Sequence, residues 1–80
     1  RTPSFLNAKL SSSKVNNLVE LNNRLKKIDS IDSIYVQEFN KEHVLLKIKY
    51  LGKLDKIMNQ LKRQRVLLKL IGDQWSLKLI

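Results

Sequence analysis

LVELNNRLK at Leu18–Lys26 and LDKIMNQLK at Leu54–Lys62 are two copies of one helical pattern, aligned at a constant offset of 36 residues. Leu18, Leu21, Leu25 and Lys26 in the first copy match Leu54, Ile57, Leu61 and Lys62 in the second. The apolar members fall at i, i+3 and i+7, which lie on one face of an α-helix. After each copy come two short apolar-alternating stretches joined by a turn. The chain therefore reads as a helix–strand–strand unit used twice.

Working outward from the first copy, Val15, Leu18, Leu21, Leu25 and Ile28 recur at helical spacing, while Asn16, Asn17, Asn22, Asn23 and Lys26 fall mostly on other faces. This predicts a helix over roughly 14–28. The Ser11–Ser13 run offers a hydroxyl to the first free N–H groups, as an N-cap requires, and Asp29-Ser30 stops the helix. Ile34 and Val36 then alternate with Tyr35 and Gln37, Phe39–Glu42 supplies a polar turn, and Val44, Leu46, Ile48 and Tyr50 alternate with Leu45, Lys47 and Lys49. Period two with β-branched and aromatic residues is the signature of a hairpin with one buried face.

Gly52 closes that hairpin, and Met58 joins the second apolar stripe to complete an amphipathic helix. Val66, Leu68 and Leu70 alternate with Leu67, Lys69 and Ile71; Trp75, Leu77 and Leu79 alternate with Ser76 and Lys78. Between them Gly72-Asp73 is a two-residue loop, with glycine where a type II′ turn needs positive φ.

The fold class is α+β: an αββαββ two-layer sandwich with two helices on one face of a four-stranded sheet, which buries both stripes. Its connectivity is that of a circularly permuted ferredoxin-like fold, the first strand moved to the end. The four strands then lie in the spatial order 1-2-4-3, with 43–50 and 74–80 as the central pair. Residues 1–12, with Pro3, Asn7 and a serine run, read as a linker or N-terminal extension, in which Phe5, Leu6 and Leu10 cover a core edge. Residues 13–80 read as a single domain of two repeats, 13–50 and 53–80.

Eighty residues bury only about 60–65% of the unfolded surface, so nearly every periodic apolar residue is needed for folding. Without cysteine there is no disulfide or thiolate chemistry. No apolar run approaches the ~18 residues needed to span a bilayer, and Arg1-Thr2-Pro3-Ser4 does not begin a signal peptide. The chain starts without Met and ends inside a strand, as a domain cut from a longer protein does. Its net charge of +9 fits an anionic partner. The joint abundance of Lys, Asn and Ile also fits A/T-rich coding, with no partner implied.

Catalysis has few candidate groups. His43 is the only histidine, read as exposed at a strand start, and a metal site needs three or four fitting ligands. Glu38 and Glu42 flank a turn, yet neither has the apolar surroundings that tune a general acid or base. Both glycines mark turns, so no phosphate-cradling loop exists. No enzyme, cofactor or metal is expected. The basic clusters Lys26-Lys27 and Lys62–Arg65 sit at helix ends, where cations interact favourably with free carbonyls. Antiparallel helices keep the two clusters apart.

The sheet face turned away from the helices carries more information. Strand parity places Tyr35, Gln37, Leu45, Lys47, Lys49, Leu67, Lys69, Ile71, Ser76 and Lys78 there. Lysines mixed with exposed aliphatics mark a contact surface. The candidate interaction residues are Tyr35, Leu45, Lys47, Lys49, Leu67, Lys69, Ile71 and Lys78. A base-stacking RNA-binding sheet carries two or three central aromatics, whereas this face shows Tyr35 alone, on an edge strand.

Leu18–Leu79 resembles the C-terminal region of an uncharacterised family of proteobacterial, envelope-associated proteins. The carriers are Arg24-Leu25-x-x-Ile28, Ile34-x-Val36, Val44-x-Leu46-x-Ile48-x-Tyr50-Leu51-Gly52 and Trp75-x-Leu77. The resemblance implies a bacterial source and a periplasmic or cell-envelope setting; a cytoplasmic one is the alternative. The element order also resembles the ferredoxin-like periplasmic domains of secretion and pilus assembly-platform proteins, which act as protein–protein dimerisation modules. The expected function is a non-catalytic protein-interaction or assembly domain of a larger protein, binding another protein or its own copy. The alternative is electrostatic binding of nucleic acid or an anionic surface through the basic sheet face.

Overall fold

Leu6, Ala8 and Leu10 alternate with Phe5, Asn7 and Lys9, a short period-two run. In a computed structural model of the chain, which describes residues 2–12 and 14–80, that run is a strand. The element order is β1 (Ser4–Leu10), α1 (Val15–Leu25), β2 (Ile31–Phe39), β3 (Val44–Tyr50), α2 (Leu54–Arg63), β4 (Val66–Ile71) and β5 (Gln74–Leu79). Two helices pack on a five-stranded mixed sheet of order β2-β3-β1-β5-β4, an α+β sandwich.

The expected order of the four later strands is kept, but the sheet has five strands, and the segment read as a linker is its middle. β1 separates β3 from β5 and pairs with both. The direction of each pairing follows from geometry. The β2–β3 and β4–β5 hairpins are each antiparallel, and β3 and β5 run in opposite directions. A strand placed between such neighbours must run parallel to one of them. β1 is antiparallel to β3 from Ser4↔Tyr50 to Leu10↔Val44, and parallel to β5 from Ala8↔Trp75 to Leu10↔Leu77.

The alternation sets the core. Leu6, Ala8 and Leu10 of β1 join Val44, Leu46, Ile48 and Tyr50 of β3, Val66 and Leu68 of β4, and Leu77 of β5 under the helices. Leu21, Leu25 and Ile28 pack down from α1 and its following turn, and Ile57 and Leu61 from α2. Each buried Leu or Ile contributes about 1.5–3 kcal/mol relative to exposure. Ala8 is fully buried because Leu46 and Trp75 stand opposite it on the two flanking strands.

Helix ends differ in detail from expectation. α1 begins at Val15 with no side-chain cap on its N-cap residue, Lys14. Ser12 Oγ instead accepts from the Lys14 N–H at 3.3 Å and from Asn17 Nδ2 at 2.8 Å; Ser13, the last of the three serines in the proposed capping run, lies outside the described residues. The β2–β3 turn is an Asx turn, with Asn40 Oδ1 accepting from the Glu42 and His43 N–H groups at 2.9 and 3.0 Å. Gly72 has φ 62° and Asp73 is not left-handed, as a type II′ turn requires.

Candidate interaction surface on the open sheet face

Register fixes which side chains share the face opposite the helices. Tyr35 stands across from Lys47, and Ser33 from Lys49. Lys47 and Lys49 in turn face Asn7 and Phe5. Lys9 lies between Leu45 on β3 and Ser76 on β5. On the far side Leu67 pairs with Lys78, Lys69 with Ser76, and Ile71 with Gln74. All eight candidate residues have the parity of this face. They do not form one continuous cluster. Tyr35, Leu45, Lys47 and Lys49 lie on β2 and β3, while Leu67, Lys69, Ile71 and Lys78 lie on β4 and β5. With β1 between them, β3 and β5 stand about 9–10 Å apart rather than at the ~4.8 Å spacing of paired strands.

β1 fills that gap with Phe5, Asn7 and Lys9, residues that parity over 34–79 does not reach. Phe5 is 53% exposed on the central strand. Lys47 Nζ sits 4.6 Å from the centroid of its ring, a cation–π distance. Tyr35 is therefore not the only aromatic on the face. A second correction comes from the edge strand. β2 has irregularities between Ile31 and Ser33 and between Val36 and Glu38. The latter puts Glu38, not Gln37, opposite Leu45.

The face carries five lysines, Lys9, Lys47, Lys49, Lys69 and Lys78. Two carboxylates accompany them at the β2 edge. Asp32 Oδ2 is 3.5 Å from Lys49 Nζ. Glu38 Oε1 lies 3.4 Å from His43 Nε2 and accepts from Asn40 Nδ2 at 2.9 Å. His43 is thus not free in solvent: its side chain is partly buried and engaged with Glu38 and Asn40. The Glu38 carboxylate accepts from the Asn40 side chain, whereas Glu42 is held to Asn40 only through its backbone N–H.

Elsewhere, the two basic helix ends converge rather than lying apart. Arg24, in the last turn of α1, donates from Nη1 to the carbonyls of Arg65 and Ile80 at 2.8 and 3.3 Å. Lys27 and Arg63 line one shallow groove with Gln60 and Asp29. On the helix side, Leu18, Val19, Ile34 and Val36 line an apolar groove of about 340 Å³ between α1 and β2, with Asn22 its one polar side chain. Among the described residues no three His, Cys, Asp or Glu side chains gather within reach of one metal ion, and no helix is long and apolar enough to cross a membrane.

No protein family, curated protein or solved structure matches the chain.

Proposed function

We propose that the chain is a non-catalytic interaction domain that docks an acidic protein partner on its open sheet face. The observation that carries this reading is the composition of that face. Exposed Phe5, Tyr35 and Ile71 are distributed among five lysines, and the two carboxylates sit at one edge. Apolar side chains in water favour burial against a partner, and the lysines favour a partner of opposite charge. The resemblance of Leu18–Leu79 to envelope-associated proteins supports a bacterial envelope setting for this role.

The test is an NMR titration at low salt with a Glu/Asp-rich peptide carrying interspersed leucines. Shifts concentrated at Asn7, Lys9, Leu45 and Lys47, lost in Lys9→Glu/Lys47→Glu, support the reading. An unperturbed face contradicts it.

Phe5 favours a second reading, single-stranded nucleic acid. An aromatic on a central strand beside a lysine offers a stacking platform and a phosphate contact. An oligonucleotide that shifts Phe5 and binds more tightly than the acidic peptide of matched charge at the same salt concentration selects this reading over the first.

A further inference from the structure

The two edges of the sheet are not alike. β2 is interrupted by two irregularities in its pairing and carries Asp32 and Glu38; bulges and charges of this kind blunt an edge against further strands. β4 pairs with β5 without interruption from Val66↔Leu79 to Ile71↔Gln74. Its sequence is Val-Leu-Leu-Lys-Leu-Ile, with Leu70 50% and Ile71 60% exposed. One edge is broken by bulges and the other is regular and, Lys69 apart, apolar.

Hydrogen bonding shows which groups β4 leaves free. Ile80 N–H donates to the Arg65 carbonyl at 2.9 Å, so Arg65 and Ile80 form a bonded pair. Bonded pairs alternate along an antiparallel ladder. Leu67, Lys69 and Ile71 therefore bond towards β5, and Val66, Leu68 and Leu70 turn their N–H and C=O groups outward. We infer that β4 pairs antiparallel with β4 of a second copy of this chain, Leu68 opposite Leu68 and Val66 opposite Leu70.

Register and charge select that arrangement. Directly opposed residues share a face, so only a register matching helix-side to helix-side residues is compatible with the pleat. Among such registers, centring on Lys69 sets two lysines opposite each other, and centring on Leu67 sets Arg65 against Lys69. Centring on Leu68 avoids both. It engages all three outward-facing residues, and it brings half-exposed Leu70 beside Val66, which is fully buried in its own core. The two-fold axis is perpendicular to the sheet, so both helix layers lie on one side and the two open faces join on the other. An edge contact of this length is small, below the ~1,000 Å² of a durable interface, and the dimer is a weak one.

Sedimentation equilibrium up to about 1 mM tests this independently of the open-face reading. The expected mass rises from 9.4 kDa towards twice that value. Added salt strengthens the association by screening the repulsion between two chains that each carry a net charge of +9, whereas it weakens capture of an acidic partner. Leu70→Pro removes an N–H that is unbonded in the monomer, a change an edge strand tolerates, and abolishes the dimer; Leu70→Ala keeps that N–H and retains it. In the unmodified chain, amide exchange at Leu68 and Leu70 slows as concentration rises. A mass of 9.4 kDa throughout, with exchange at Leu68 and Leu70 independent of concentration, overturns the inference. So does a folded Leu70→Pro variant that still dimerises.

Discussion

Replacing Arg24 with glutamine removes a tie between parts of the chain far apart in sequence. The Arg24 side chain is 20% exposed; its Nε donates to Glu20 Oε2 at 2.8 Å, and its Nη1 reaches the carbonyls of Arg65 and Ile80. The carbonyls belong to the α2–β4 corner and the end of β5. A hydrogen bond from a charged donor contributes about 1.5–3 kcal/mol, and the lower end applies where the acceptors are partly solvated. The i,i+4 pair with half-exposed Glu20 adds about 0.3–0.5 kcal/mol. Arg24→Gln therefore costs about 2 kcal/mol out of a total of roughly 4–12 for a chain of this size. At ~4–8 °C per kcal/mol the Tm falls by roughly 8–16 °C. Glu20→Gln, which breaks the ion pair and leaves the backbone bonds, costs about 0.5 kcal/mol. Urea denaturation of the two variants, followed by Trp75 fluorescence, measures both. Equal losses would refute the assignment of Arg24 to the α2–β4 corner.

Two further substitutions probe the packing and the backbone. Ala8→Leu forces extra volume between Leu46 and Trp75 and costs about 1–3 kcal/mol in the same denaturation assay. Arg65 is the one described non-glycine residue with positive φ, at 60°. Left-handed strain of ~1–2 kcal/mol exceeds the ~0.4–1 kcal/mol of added unfolded-state freedom. Arg65→Gly is therefore stabilising by about 0.5 kcal/mol, read as a small rise in Tm, while Arg65→Ala brings no gain.

The parts of the fold legible from residues were those with a repeated physical signal. Both helices announced themselves through Leu/Ile spacing, and both hairpins through alternation around a turn. Parity alone put the eight candidate residues on the open side. β1 was not legible for a specific reason. Its helix-side residues include Ala8, too small to stand out as a core residue, and its outward residues include Asn7, which is disfavoured in strands. Pro3 and the serines frame the run as loop. The alternation Leu6, Ala8, Leu10 was present but short, and a central strand of seven residues needs no more because both of its edges are paired. Missing β1 also meant missing Phe5 and Lys9, and with them the continuity of the surface. The β2 irregularity at Val36/Glu38 leaves no mark in polarity alone, so the orientation of Gln37 followed a parity that the backbone does not keep.

Amide hydrogen exchange across the whole chain tests the placement of Ser4–Leu10 most directly, since the open face depends on it. A strand bonded on both sides predicts that amides of β1, those of Ala8 and Leu10 above all, exchange among the slowest in the protein, alongside those of β3. Exchange of the β1 amides at free-chain rates, with β3 and β5 still protected, would contradict the account.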